Sequence, residues 1–331
     1  MKTIKIIILV SLLILTTIIT NPSVLSEETQ AILYVDDDGN EEYSTISEAL
    51  NNATDGDTIY VYNGVYQGYF LINKSINLIG ESKENTIIVG ENFMISSNSL
   101  VTIIKDNVTV SGFTIKNSTH SYHLFLHGVA PPTWIYDVAI GIIVKSNYCN
   151  ITGNIIKDNH GYGILLNKSH NTIISNNEIK NHTFACIYVK NSTNNKIFGN
   201  NIIDNLNGIM FHMNSTENTL YHNNFINNTW YNAHSESNNL FYNADLKEGN
   251  YWDDYGGVDK NNNAIGDFAY NVSGEVCQDL YPLMSFYEGR LIVEKYYVDE
   301  VSVQLMLLVG IIISIIFCLP IGLWWRKKYF K

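Results

Sequence analysis

Short apolar runs rich in Ile, Val and Leu alternate with Asn, Asp, Gly and Ser through the middle of the chain, as at Ile155-Ile156, Ile173-Ile174 and Ile202-Ile203. β-Branched residues suit a pleated backbone, and Asn, Asp and Gly accept the turn conformations that close it, so these runs read as short strands between tight turns. The runs are periodic. Asn154, Asn177, Asn200 and Asn223 stand 23 residues apart, and each is followed two positions later by Ile156, Ile179, Ile202 or Phe225. A fixed period of this length marks a solenoid. Stacked rungs would set Asn on Asn at one turn and Ile on Ile inside, so each rung supplies the partners its neighbour needs. The pattern predicts an all-β parallel β-helix.

Around the rungs the pattern changes. Residues 27–56 form an N-terminal cap: Ala31 to Val35 reads as a short strand and Tyr43 to Ala53 as a helix with Ile46, Ala49, Leu50 and Ala53 on one face. Thr45 and Glu48 have the spacing of a capping box, and such a helix would cover the open end of the solenoid. Rungs follow over 57–248. Val110 to Asn117 echoes Ile151 to Asp158 at a distance of 41 residues, so 18 residues are inserted, placed as a loop over 119–137. Insertions in repeat folds emerge as loops and often carry binding function. After the Asn223 rung the repeat decays into an aromatic, acidic segment, 249–284, read as the closing cap, and 285–300 is a short stalk.

The ends place the chain in a compartment. Lys2 and Lys5 followed by the apolar run Ile6 to Ile19 read as a secretory signal peptide over 1–26. Residues 301–325 are almost wholly apolar and long enough to span a bilayer core, with Trp324 and Trp325 at the boundary and Arg326, Lys327, Lys328 and Lys331 in a short tail, 326–331, expected to be cytoplasmic. The chain reads as a single-pass membrane protein whose body faces outward; a buried core helix is the alternative for 301–325.

The charge agrees with an exposed body. The chain has 20 Lys and Arg against 32 Asp and Glu; six of the basic residues and none of the acidic ones lie in the two terminal segments, leaving 14 against 32, a net of −18 outside them. Such a body repels nucleic acid and polyanionic polysaccharides and favours cations or neutral glycans. Cys149, Cys186 and Cys277 lie outside the apolar terminal segment and Cys318 within it, an odd external number that gives no disulfide framework; small buried thiols are the expectation, with a bond between irregular segments carrying Cys149 and Cys186 as the alternative. Eleven sequons make a glycoprotein one reading, at Asn52, Asn73, Asn107, Asn117, Asn150, Asn167, Asn181, Asn191, Asn214, Asn227 and Asn271. The other reading is that Asn and Thr favour β-helix turns.

Several stretches resemble known proteins. Tyr43-Ser-Thr-Ile-Ser-Glu-Ala-Leu50, with Asp55-Gly-Asp-Thr-Ile-Tyr-Val61, Gly64-Val-Tyr66 and Ile72-Asn-Lys-Ser-Ile-Asn-Leu-Ile-Gly80, is similar to the opening of pectin-lyase-like right-handed β-helices. The rungs, with Gly249-Asn-Tyr-Trp-Asp-Asp-Tyr255, Ile265-Gly-Asp267 and Asp279-Leu-Tyr-Pro-Leu-Met284, resemble the NosD-like group, named for a periplasmic copper-binding accessory protein of nitrous oxide reductase. The resemblance covers residues 31 to 284. It implies a right-handed parallel β-helix at a cell surface and makes copper handling an alternative function, although fold does not by itself carry chemistry.

Four constellations carry candidate chemistry. His120, His123 and His127 cluster in the inserted loop, where imidazoles suit Cu or Zn, or are ordinary polar loop residues. Asp259, Asn261, Asn263, the Ile265 carbonyl and Asp267 have the spacing of a Ca²⁺ loop, with Ala264 where Gly is usual and a polar turn as the alternative. Tyr122, Trp134, Tyr251, Trp252 and Tyr255 are candidates for stacking on sugars, or for covering the last rung. Lys116, Lys157 and Lys180 fall in register, with Asp158 and Asp204 after the equivalent strands. Arg290 is the single arginine outside the tail, so an arginine-based uronate chemistry has no candidate on the rungs. The leading expectation is a membrane-anchored, non-catalytic binding or structural surface module, with glycans, envelope proteins or divalent cations as its partners; a copper-handling protein and a carbohydrate-active enzyme are the alternatives.

Overall fold

The computed structural model describes residues 30–90, 99–118, 139–274 and 277–288. They form a parallel β-helix of about eight turns, of the right-handed type, whose rungs are distributed over three sheets. Sheet 1 stacks Ile32–Val35, Thr58–Val61, Asn77–Gly80, Thr109–Ser111, Asn150–Thr152, Ile173–Ser175, Lys196–Phe198 and Thr219–Tyr221. Sheet 2 runs from Gly64–Gln67 through Thr114–Lys116, Ile155–Lys157, Glu178–Lys180, Asn201–Ile203 and Asn224–Ile226 to Tyr251–Trp252. Sheet 3 includes Ala139–Val144, Gly161–Asn167, Ala185–Lys190, Asn207–His212 and Tyr231–Ser235.

The core is built of aligned apolar rows. On sheet 1, Val110, Ile151, Ile174, Ile197 and Leu220 pair in register, and on sheet 2 the row is Ile115, Ile156, Ile179, Ile202, Phe225 and Trp252. All of them are buried. Each buried aliphatic side chain contributes roughly 1.5–3 kcal/mol. Val110 pairs with Ile151 and Ile115 with Ile156, so the 41-residue offset read from the sequence is the register of the sheets.

Polar ladders hold the turns. Asn154 donates from Nδ2 to Oδ1 of Asn177 (3.1 Å), Asn177 to Asn200 (3.0 Å), Asn200 to Asn223 (2.9 Å) and Asn223 to Asn250 (2.9 Å). Every Oδ1 also accepts the backbone N–H of the preceding member, as Asn200 does from Asn177 (3.0 Å). A second ladder runs Asn195, Asn218, Asn239. A third holds Asn159, His182, Asn205 and Asn228 at the next corner, His182 standing where its neighbours are Asn. The corner after the five sheet 2 strands from Thr114–Lys116 to Asn224–Ile226 is left-handed and occupied by Asn117, Asp158, Asn181, Asp204 or Asn227, residues that tolerate positive φ.

At the N-terminal end Ile46–Asn52 is the expected helix, α1, with Ile46, Ala49 and Leu50 buried over the first rung; Thr45 Oγ1 accepts from Glu48 N (3.2 Å), and Glu48 reaches back to the Ser44 hydroxyl (3.2 Å). Ile32–Val35, read as part of the cap, pairs with Thr58–Val61 as the edge of sheet 1. At the other end Trp252 lies flat between Phe225 (4.3 Å) and Tyr270 (4.2 Å) and closes the core. Among the described residues no helix is long and apolar enough to cross a membrane; segments 1–26 and 301–325 lie outside them.

Candidate functional site

The third ladder ends in a cleft. Asn205 Nδ2 donates to Asn228 Oδ1 (3.1 Å), Asn228 Nδ2 to Asn232 Oδ1 (3.0 Å), and Asn232 Nδ2 to both Asp253 Oδ1 (3.0 Å) and Asp254 Oδ1 (2.9 Å). From Asn205 on, each amide gives one N–H to the next member toward the C-terminal end, so the last one needs an acceptor, and two carboxylates provide it. Asp253 Oδ2 also accepts from Asn227 N (2.6 Å), and Asp254 Oδ2 from the Tyr270 hydroxyl (3.1 Å). Burial, and then the negative charge of Asp254, push the Tyr270 phenol above its ordinary range, so it stays a donor at neutral pH.

Around this pair lies a hollow of about 520 Å³ lined by Asn228, Trp230, Tyr231, Asn232, Asp253, Asp254 and Tyr270. Trp230 is 65% exposed and Tyr231 42% exposed, large apolar surfaces left in water beside fixed polar groups. Carboxylates held by hydrogen bonds next to open aromatic planes can accept hydroxyl hydrogens while the rings cover the apolar face of a sugar. Asp253 and Asp254 are sequence neighbours that share the Asn232 amide nitrogen as donor. A larger hollow of about 1170 Å³ in the same cap is lined in part by Glu217, Leu240, Tyr242, Cys277 and Leu280. Its aromatic, Tyr242, is packed edge-on against Tyr281 (5.2 Å).

The residues proposed from sequence are scattered. Trp252 is 1% exposed with both faces covered, so it closes the core and offers no plane to a sugar. Tyr255 is wedged between Gly257 and Gly266, where an added Cβ would collide with its ring, and its hydroxyl bonds Phe268 O (2.6 Å). Tyr251 is half-buried near Phe286. In the 259–267 loop, Asp259 accepts from Asn263 N and Ala264 N, Asn263 Oδ1 from Ile265 N and Asp267 from Lys260 N, and Ala264 takes φ +66°. Lys116, Lys157 and Lys180 are in register on sheet 2, with Lys180 paired to Glu178. No sequon asparagine is buried: Asn150, Asn167 and Asn191 are half-exposed and Asn52, Asn73, Asn107, Asn117, Asn181, Asn214, Asn227 and Asn271 are exposed. His120, Tyr122, His123, His127 and Trp134 lie outside the described residues.

Trp230, Tyr231, Asn232, Asp253, Asp254 and Tyr270 were not singled out by sequence reasoning. The signal available was an aromatic pair, Trp230-Tyr231, directly after a sequon, where the preceding rung enters sheet 3 at Asn207.

The model of a family described as periplasmic copper-binding protein (NosD) matches residues 50–257. Curated proteins give no match. Among solved structures the chain is similar to Geobacillus virus E2 ORF18 (13% identity, TM-score 0.44, covering 58% of this chain and 42% of that one). It is also similar to pectin methylesterase from carrot (16%, 0.37, 56% and 62%) and to pectin methylesterase PemA from Erwinia chrysanthemi (11%, 0.32, 66% and 69%). The first two matches thus span less than two thirds of those proteins.

Copper, which the family description implies, does not fit the described residues. Among them no three His, Cys, Asp or Glu side chains gather. Cys149, Cys186 and Cys277 are free and buried, as expected for small core thiols, and burial raises the pKa of Cys149 and Cys186 away from the thiolate a metal would need. His182 is enclosed, its ring nitrogens facing the carbonyls of Asn159 and Ile156.

Proposed function

The chain belongs to the NosD family, and from its C-terminal cleft we propose that it is an extracellular, non-catalytic module that binds neutral glycans, held at the membrane by 301–325. The observation that carries this reading is the open Trp230 and Tyr231 pair standing beside the ladder-held carboxylates of Asp253 and Asp254. The rings supply apolar contact worth about 0.5–1.5 kcal/mol each. The two carboxylates supply directional acceptors for sugar hydroxyls, and the Tyr270 oxygen, whose proton goes to Asp254, is a further acceptor. The acidic body, at −18 outside the terminal segments, favours uncharged over polyanionic chains.

Affinity electrophoresis of the full chain tests the reading, with gels containing a neutral β-1,4-linked glucan or polygalacturonate. Retardation by the glucan, none by polygalacturonate, and loss of retardation in Trp230→Ala are expected. Equal mobility of wild type and Trp230→Ala in the glucan gel would sink it.

A further inference from the structure

The cleft does not end at Tyr231. On the outward face of sheet 3, Leu165, Tyr188, Met210 and His234 pair in register across four successive strands. Their neighbours on either side, such as Ile164 and Leu166 or Ile187 and Val189, point inward and are buried. Tyr188 lies against Tyr162 (4.8 Å between centroids) and Phe184 (6.5 Å), and His212 flanks it at 6.1 Å. Phe184 is 40% exposed. At the far end His234 meets Tyr231 (5.3 Å) and so joins the row to the cleft.

The equivalent outward row of sheet 2 is basic in its middle: it reads Lys116, Lys157, Lys180, then Ile203 and Ile226. On the rungs of Leu165 and Tyr188 sheet 2 thus turns lysines outward where sheet 3 turns out an apolar and an aromatic side chain. Beneath the sheet 3 row Asn207, in register with Tyr231, bonds Phe184 O through Nδ2 (2.8 Å), while its Oδ1, buried, has no hydrogen-bond partner among the described residues.

Spacing selects the occupant. Neighbouring strands lie about 4.8 Å apart, so the four strands present a contact at each step over roughly 14 Å along the solenoid axis. One step is close to the length of a pyranose in an extended chain. A β-1,4-linked chain exposes flat apolar faces with hydroxyls at its rim, which matches aromatic and thioether contacts in single file with polar groups at the sides.

We propose that the Tyr188–Met210–His234 row with Phe184 is a set of subsites extending the cleft, so that the protein holds several consecutive units of a linear neutral β-1,4-linked glycan laid along the solenoid axis. This rests on the reading of the cleft as a glycan site. It predicts that length, rather than the terminal sugar, governs affinity.

Calorimetry of the full chain with β-1,4-linked glucose oligomers of two, four and six units tests it. An aromatic contact of about 0.5–1.5 kcal/mol corresponds to roughly threefold to tenfold in affinity, so the hexamer should bind about tenfold or more tightly than the dimer. Phe184→Ala and Met210→Lys, both at surface positions and checked by unchanged thermal midpoints, should bring the hexamer back to the dimer's affinity and leave the dimer unaffected. Trp230→Ala should weaken every length. Equal affinity for dimer and hexamer, or a hexamer indifferent to both sheet 3 variants, overturns the subsites while leaving the cleft reading intact. No binding at any length overturns both.

Discussion

Asn200 occupies the middle of the longest ladder, and its replacement by Ala separates the ladder's contribution from that of the apolar core. Its Oδ1 accepts from Asn177 N and Nδ2 (both 3.0 Å), and its Nδ2 donates to Ile174 O (2.9 Å), Phe198 O (3.1 Å) and Asn223 Oδ1 (2.9 Å). The site is 0% exposed, so water does not replace the lost groups. In Asn200→Ala the Asn177 N–H loses its acceptor, while Asn177 Nδ2 keeps Ile151 O (2.8 Å). One orphaned backbone donor, one half-satisfied amide and a small cavity cost about 3–5 kcal/mol at roughly 1–3 kcal/mol per unsatisfied buried group. That is a large part of the ~5–15 kcal/mol that stabilises a typical domain. Asn200→Asp keeps Oδ1 but turns a second oxygen toward three acceptors; its deficit should be larger at neutral pH and shrink in acid, where the carboxyl can donate. Asn194→Gly, an exposed left-handed position (φ +57°), should change stability by less than about 1 kcal/mol. Urea unfolding followed by circular dichroism reads all three. If Asn200→Ala lost less than about 1 kcal/mol, the ladder would not be a stabilising element.

Three further outcomes are expected. Burial raises the Asp279 carboxyl to about 6, against the N–H groups of Asn250, Trp252 and Tyr281 that favour its charge; a raised carboxyl binds its proton better in the folded state, so this group's contribution falls by about 3 kcal/mol as pH rises from about 4 to 6, and thermal melts of Asp279→Asn should lack that component while being less stable at pH 7. Burial lowers His182 to about 4, a shift in the opposite sense for a base: its contribution is intact above about 6.5 and lost by about 3 kcal/mol as pH falls to 4, so His182→Asn should melt with less acid sensitivity than wild type. Titration of the full chain with Cu(I), Cu(II), Zn²⁺ and Ca²⁺ should find that any stoichiometric copper disappears when His120, His123 and His127 are replaced together; copper retained by that triple variant would refute the conclusion that the described residues lack a copper site.

Much of the fold was legible because translation along a solenoid repeats the same physical demand. Asn154 to Asn223 and the Ile156 to Phe225 row declare themselves at a constant 23, and the 41-residue offset of Val110 and Ile151 still revealed its register. The template failed where rung length drifts: Ile187 pairs with Ile209 and Ile209 with Ala233, 22 and 24 residues apart, which hid the sheet 3 row. Asn250, 27 residues after Asn223, was missed as the next ladder member for the same reason. The sequon pattern had a second source: Asn107, Asn117, Asn181, Asn191 and Asn227 all take positive φ. The cleft was least legible, since it joins a rung to a cap through Asn232, and no period relates them.

The ladders give the molecule a direction. In the long ladder each Asn gives one N–H forward to the next Asn, so the leading end presents acceptors, which backbone N–H groups such as that of Phe113 fill, and the trailing end presents donors, which Asp279 fills as Asp253 and Asp254 do at the neighbouring corner. The two ends are chemically unlike and cannot be exchanged, and a rung added beyond Asn250 would meet a carboxylate where it needs an amide. Length can change only from within. A unit inserted between Asn200 and Asn223 finds the same donor on one side and the same acceptor on the other, so relatives of different height can share both termini and the cleft, the shaft being a spacer whose extent is set by counting turns.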